Sequence, residues 1–278
     1  CENGKYKIGR NLVRDTSPHG IMTLKQVLKK SSNICAAKIG MSMSPAKFHE
    51  YILRFGFGQR PNSGVAAEAS GRVISPKKWQ TIDHANISFG QAILVSPLQM
   101  VSAANVFANE GQWVPPYIVE HLRDNNGKKL QEIKDNNGKL IQSFGKGVRS
   151  AVVEASVAAL VKEYLVSVTQ QGGTAEQAAI KGYQIAGKTG TSQIYDQQMG
   201  RYSNTRYIAS FVGFAPASEP LVTVLVVVEQ PRTSYYGGSV AAPIFKEIVQ
   251  RTLLFEDVLP FPEESNADSS FQGKTVKR

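Results

Sequence analysis

The sequence has no stretch of about 18 apolar residues that could cross a membrane, no initiator methionine and no signal-peptide pattern. Its longest apolar run, Leu221 to Val228, is broken by Thr223 and has the length of a buried strand. The abrupt polar start at Cys1-Glu2-Asn3-Gly4 suggests a piece of a longer chain, with any anchor lying upstream. Cysteine is scarce: Cys1 and Cys35 form no framework and no metal spacing, and they do not fix a redox compartment. Cys35, in an apolar stretch, reads as a small buried hydrophobe. The four histidines, His19, His49, His84 and His121, are too scattered for a paired zinc motif, so no metal is expected. Charge is unbalanced at +10, but the basic residues occur in pairs such as Lys29-Lys30 and Lys77-Lys78 rather than in a dense tract. With no nucleic-acid motif of recognisable spacing, this is read as a solvated basic surface and no nucleic-acid partner is expected.

What is present is the composition of an ordinary globular protein: 278 residues, 42% hydrophobic and 19% charged. The order of elements is helical first, then strand-rich, an α+β arrangement without internal repeats. Thr23 is a plausible cap for a helix over Leu24 to Lys30, which runs into Ser31-Ser32-Asn33. An apolar stretch follows from Ile34 to Met43, and Ser44-Pro45 opens a helix that carries Phe48, Tyr51, Ile52 and Phe55 on one face. Gly56 and Gly58 stop it, and residues 59–90 read as loop. Within them, Asp83-His84 reads as a surface pair. Ser96-Pro97 opens a further helix to about Asn109. Two Asn-Asn-Gly sequences, 125–127 and 136–138, mark hairpins within 112–145. A helix from about Ser150 to Gln170 shows Val153, Val157, Leu160, Val161, Tyr164 and Val168 on one face, closed by Gly172-Gly173.

In the last third, Gly182 to Ala186 alternates as a strand and delivers Gly187-Lys188-Thr189-Gly190-Thr191. Residues 207–214 and 221–229 read as antiparallel neighbours joined through Pro216 to Pro220. A helix from about Val240 to Leu254 turns Ile244, Phe245 and Ile248 inward. The domain is placed at 1–254, and 255–278 reads as a polar, disordered tail.

The chemistry gathers at Lys188-Thr189-Gly190-Thr191: a cation and two hydroxyls along a strand edge, with a glycine that lets a peptide backbone approach. Such an edge can hold a carboxylate and offer a backbone N–H to an oxyanion. Lys-Thr-Gly is also one of three motifs of penicillin-binding proteins and serine β-lactamases. The stretch Ala186 to Gln193 closely resembles the third motif of class B penicillin-binding proteins. So, in the family's order, do Phe89-Gly90-Gln91, Ser96-Pro97-Leu98-Gln99, Gly172-Gly173-Thr174-Ala175, Tyr207 to Pro216 and Tyr235-Tyr236-Gly237-Gly238. The Tyr-Tyr-Gly-Gly element is more similar to the septal or sporulation branch than to the elongation branch.

That resemblance implies a penicillin-binding/serine β-lactamase-like transpeptidase fold, truncated at the N-terminus: a helical region plus an antiparallel sheet with flanking helices. Ser31-Ser32-Asn33, which alone would be a helix cap, then matches the family's Ser-x-Asn motif. By resemblance, Ser31 passes a proton to the leaving amine, Asn33 binds the substrate amide and steadies the catalytic lysine, and Lys188 polarises Ser31. Lys188, Thr189 and Thr191 attract the substrate carboxylate, Gly190 gives access, and the Thr191 N–H supplies half an oxyanion hole. Arg232, Tyr235 and Tyr236 line the groove.

The nucleophile motif is what the chain lacks. Ser-x-x-Lys places a serine and its base one helical turn apart, and three such spacings occur: Ser44–Lys47, Ser75–Lys78 and Ser143–Lys146. Ser44 is explained as a cap, Ser75-Pro76 as a turn, and Ser143 lies in a glycine-rich stretch. All three follow Ser31, whereas the family's nucleophile precedes it, so all three are rejected and the chain alone is expected to be inactive. The resemblance implies a peptidoglycan D,D-transpeptidase without cofactor. It acts on stem peptides, is a target of β-lactams, associates with division or elongation machinery, and sits at the periplasmic face of the cytoplasmic membrane. Two other readings remain: a β-lactamase or D,D-carboxypeptidase, and a non-catalytic scaffold or sensor.

Overall fold

A two-stranded hairpin opens the chain, β1 (Lys5–Ile8) against β2 (Asn11–Arg14) in antiparallel register. Ile8 and Val13 turn inward and are buried with Ile34, Ala37 and Ala85. The computed structural model describes residues 1–65 and 67–260. Helix α1 (Leu24–Lys30) starts on a capping box in which Thr23 Oγ1 accepts from Gln26 N and Gln26 Oε1 accepts from Thr23 N. Helix α2 (Asn33–Met41) follows after two residues, capped by Ser32. The hairpin folds back onto α2 and brings Cys1 to Cys35, with Cα atoms 5.2 Å apart in a disulfide. Cys35, read as a small buried hydrophobe, is instead half of this disulfide. The pairing was hidden because a separation of 34 residues says nothing about which elements fold back on one another.

Helix α3 (Pro45–Arg54) begins as expected, with Ser44 Oγ accepting from Lys47 N and proline at its start. Of its expected face, Ile52 alone is fully buried. The segment 59–90 is more than loop: it contains helix α4 (Thr81–Ser88). The Asp83 carboxylate accepts from Gln80 N and satisfies the first turn. His84 is buried beside Phe48 and Trp79 rather than at the surface. With a glutamine before a two-turn helix, neither cap nor periodicity announces it.

Helix α5 (Pro97–Ala108) buries the side chain of Gln99, whose amide donates to the carbonyls of Gln59 at 2.7 Å and Ser70 at 2.9 Å. One side chain thereby anchors the irregular segment between α3 and α4.

After α5 the chain runs through β3 (Gln112–Trp113), β4 (Leu122–Arg123), β5 (Lys129–Leu130), β6 (Glu132–Lys134), β7 (Leu140–Ser143) and β8 (Ser150–Ala151), with β4/β5 and β6/β7 forming the two expected hairpins. Their turns repeat one sequence, Asp-Asn-Asn-Gly-Lys, and one construction. Asp124 Oδ1 accepts from Asn126 N and Lys128 N, and Asp135 Oδ1 accepts from Asn137 N and Lys139 N, each at 2.9 Å. This short repeat escaped the reading of a chain without repeats.

Helix α6 (Ala155–Thr169) starts later than the pattern suggests, because Ser150 and Ala151 pair with Trp113 and Gln112 as β8. Val157 and Leu160 are exposed, and the buried positions are Ala158, Ser167, Val168 and Thr169.

The sheet has the order β11-β10-β9, all antiparallel: β9 (Ala186–Asp196), β10 (Arg201–Ala215) and β11 (Val222–Glu229). Residues 182–185, expected as strand, precede it in a turn bridged between Ile180 and Tyr183. Helix α7 (Gly237–Phe255) packs across the sheet, with Ala241, Ala242, Phe245, Val249 and Leu253 buried against Phe211, Ala215 and Val226. Phe245 meets Phe211 edge to face at 4.7 Å, and burial of such a ring contributes about 2–3 kcal/mol. Ile244 and Ile248, expected inward, are exposed instead, since alanines fill the close helix–sheet contact.

Past residue 254 the chain still touches this core. Val258 packs on this core and its carbonyl accepts the Tyr183 hydroxyl at 2.6 Å. The remainder of the expected tail, 261–278, lies outside the described residues. Among the described residues no helix is long and apolar enough to cross a membrane.

Candidate active site

Two helix ends and one strand edge meet. Ser31 closes α1 in the left-handed conformation, φ 56° and ψ 48°. Ser31 N donates to Leu28 O and Ser32 N to Val27 O, a Schellman arrangement that stops the helix without glycine. Ser32 begins the next helix, its Oγ accepting from Cys35 N at 3.1 Å and donating to Asp15 Oδ2 at 2.6 Å. Asn33, the first residue of α2, donates from Nδ2 to Arg14 O at 3.0 Å, which leaves its Oδ1 as an acceptor.

Opposite lies β9, which pairs with β10 along one side and forms the sheet's edge along the other. Lys188 projects from it and donates from Nζ to Ser31 Oγ at 2.6 Å and to Thr189 O at 3.1 Å. Burial of the ammonium, with no carboxylate beside it among the described residues, pushes its pKa down to about 8. Because Ser31 accepts from a cation, its own hydroxyl proton is directed elsewhere and is made easier to release.

The threonine hydroxyls are also held. Thr189 Oγ1 lies 3.0 Å from Thr174 Oγ1, and Thr191 Oγ1 accepts from Gly237 N at 3.2 Å, at the start of α7. Glycine at 190 has a local reason beyond substrate access, since a Cβ there would run into Ser210 Oγ on β10. Gly237 is likewise required: a Cβ would strike the carbonyls of Ser210 and Gly190 and force α7 off the strand.

Thus Ser31, Lys188, Thr189, Gly190 and Thr191 are brought together, and Asn33 sits one residue beyond Ser32. Tyr235 and Tyr236 stand slightly apart. They touch each other through their hydroxyls at 3.2 Å, and Tyr235 stacks on Tyr207 at 4.4 Å, both partly exposed. Tyr207 faces Gln193, two positions past Thr191 on β9, so the aromatic cluster flanks the same edge.

Three contributors were not singled out from the sequence: Asp15, Thr174 and the Gly237 N–H. The last two lie within segments that resemble the family, whereas nothing in the spacing ties Asp15 to Ser32. The three Ser-x-x-Lys spacings fall elsewhere. Ser44 caps α3, Ser75 precedes a single 3-10 turn, and Ser143 ends β7.

Residues 2–250 match the penicillin-binding protein transpeptidase domain, and the chain belongs to that family. Its relatives are class B members. It is 32% identical over 262 residues to a probable peptidoglycan D,D-transpeptidase PenA of Neisseria flavescens, covering 94% of this chain and 60% of that protein. It is 32% identical over 256 residues to the peptidoglycan D,D-transpeptidase FtsI of Escherichia coli K12, covering 92% of this chain and 40% of that one. Among solved structures, penicillin-binding protein 3 of Mycobacterium tuberculosis complexed with ampicillin superposes with a TM-score of 0.83 at 30% identity, over 94% of this chain and 57% of that chain. The chain therefore spans 40–60% of the length of these two curated relatives.

Proposed function

We propose that the whole protein is a serine D,D-transpeptidase of peptidoglycan and a β-lactam target, and that this chain supplies its proton-relay and carboxylate-binding half. The observation that carries the reading is the 2.6 Å contact from Lys188 Nζ to Ser31 Oγ at the end of an edge strand. In this scheme a serine outside this chain attacks the penultimate D-Ala carbonyl of a stem peptide. The C–N bond breaks, Ser31 hands a proton to the departing amine, and terminal D-Ala leaves. The amine of a second stem then attacks the acyl-enzyme ester, returns the serine and forms the cross-link.

Lys188, Thr189 and Thr191 bind the carboxylate of the substrate, and Asn33 binds its amide. Gly190 keeps the edge open to the peptide backbone, and the Thr191 N–H contributes to the oxyanion hole. Tyr235, stacked on Tyr207, and Tyr236, tilted against Tyr235, form an aromatic wall for the part of the ligand that lies past Thr191. The relative complexed with ampicillin supports the β-lactam assignment. The relatives named D,D-transpeptidases support the reaction. Activity of this kind belongs at the outer face of the cytoplasmic membrane, alongside the division or elongation machinery. It needs no cofactor, since acyl transfer uses a nucleophile, a base and oxyanion donors.

A fluorescent penicillin tests this reading. The whole protein is expected to take up covalent label and this chain alone none. No label on the whole protein would remove the enzymatic reading in favour of a scaffold or sensor, and label on Ser44 of this chain would reinstate Ser44–Lys47 as a nucleophile pair.

A further inference from the structure

Asp15 belongs to none of the motifs in the transpeptidase reading, yet its carboxylate grips the Ser31-Ser32-Asn33 junction from behind. Oδ2 accepts the Ser32 hydroxyl at 2.6 Å and Oδ1 accepts the Ile34 N–H at 3.0 Å. A carboxylate can only accept, so it fixes the direction of the Ser32 proton and leaves a Ser32 lone pair for the Cys35 N–H. The residue beside it, Arg14, accepts the Asn33 amide through its carbonyl. Asp15 is itself mounted firmly: its N–H donates to Gly4 O at 3.3 Å, and the hairpin behind it is pinned to α2 by Ile8, Val13 and the Cys1–Cys35 disulfide.

The residue so held next to this clamp is Ser31, a non-glycine residue in the left-handed region. Such a residue stays there only when its surroundings over-determine it. The Schellman bonds fix the α1 side of the junction, and Asp15 fixes the α2 side.

We propose that Asp15 is the positioning residue of the proton relay, holding the α1–α2 junction so that Ser31 stays within hydrogen-bond reach of Lys188. The inference rests on Ser31 being that relay. It accounts for a buried Ser32 between two residues assigned to the substrate site, since Ser32 transmits the clamp and does not touch substrate.

A double-mutant cycle on the whole protein separates positioning from general structural support. The second-order rate constant for acylation by fluorescent penicillin is measured for wild type, Asp15→Ala, Asp15→Asn, Ser31→Ala and the Asp15→Ala/Ser31→Ala pair, with thermal melts alongside. Asp15→Ala is expected to slow acylation about 10-fold or more, as misplacement of a reacting group does. In the Ser31→Ala background the same substitution is expected to cost nothing further, although its effect on the melt persists. Equal losses in both backgrounds, or no loss in Asp15→Ala, would overturn the proposal while leaving the transpeptidase reading intact. If Ser31→Ala itself acylates at the wild-type rate, the relay reading fails and this inference fails with it. Should Asp15→Ala not fold, the isosteric Asp15→Asn takes its place in the cycle, with the same loss expected and the same results overturning the proposal.

Discussion

Lys188 Nζ reaches Ser31 Oγ across 157 residues of sequence, joining the end of the first helix to the edge strand of the sheet at 2.6 Å. A desolvated ammonium with a hydroxyl, rather than a carboxylate, as its side-chain partner is an unfavourable arrangement for the folded chain. Its cost is intelligible if that charge is to meet an anionic substrate.

Acylation should therefore lose rate on the alkaline side. With Lys188 near pKa 8 in the folded protein, the cation that attracts a ligand carboxylate is present below that pH and is lost above it. The second-order acylation constant of the whole protein, measured from pH 6 to 10, is expected to fall through about pH 8. Lys188→Arg should be slower throughout but lack this alkaline limb, because guanidinium stays charged. An unchanged limb in that variant would assign the titration to another group.

Stability should move the opposite way. The folded pKa lies below the ordinary value of 10.5, so between about pH 8 and 10.5 the unfolded chain binds more protons and stability rises with pH. Lys188→Met removes this half-buried charge and is expected to be more stable than wild type at pH 7 by up to about 1 kcal/mol. It should also remove this part of the pH dependence. Denaturant unfolding at pH 7 and 10 on both proteins checks it, and a Met variant less stable than wild type at pH 7 would contradict it.

Gly237→Ala should damage the site through backbone contact alone. The added methyl meets two carbonyl oxygens and withdraws the N–H that Thr191 Oγ1 accepts. A loss of about 2 kcal/mol or more is expected on the scale of overpacked sites. Gly138→Ala, in a hairpin turn with open space around it, should lose less despite its positive φ. Thermal unfolding of the two variants ranks them.

Removing the Cys1–Cys35 link should destabilise the hairpin that carries Asp15. For two cysteines 34 residues apart, the chain-entropy argument gives about 3–4 kcal/mol. The Cys1→Ser/Cys35→Ser pair, followed by urea unfolding, is expected to show a lower midpoint, and hydrogen exchange should rise first in β1, β2 and the start of α2. A uniform rise across the sheet instead would deny the hairpin its role as a local brace.

The fold class and the edge-strand motif were legible in the sequence because their signals are local. Ser44-Pro45 and Ser96-Pro97 carry cap and proline together, Asn-Asn-Gly turns mark both hairpins, and apolar runs mark β10 and β11. What escaped depends on distant partners. Cys1 and Cys35 pair only because the hairpin doubles back, and Asp15 meets Ser32 for the same reason. The α4 helix hid behind a weak cap, and Ile244 and Ile248 face solvent because Ala241 and Ala242 meet the sheet. Periodicity identifies an apolar stripe but does not choose between its two flanks. The contact between Ser31 and Lys188 was reached through resemblance, since no local pattern joins a helix end to a strand so far away.

A crystal structure of the whole protein acylated by a β-lactam bears on the site as a unit. The drug's carboxylate is expected within about 3 Å of the Thr189 and Thr191 hydroxyls and near Lys188, its amide on Asn33, and Ser31 facing the acylated serine. A drug bonded to the protein with its carboxylate turned away from the Lys188–Thr191 edge would contradict that arrangement and the function built on it.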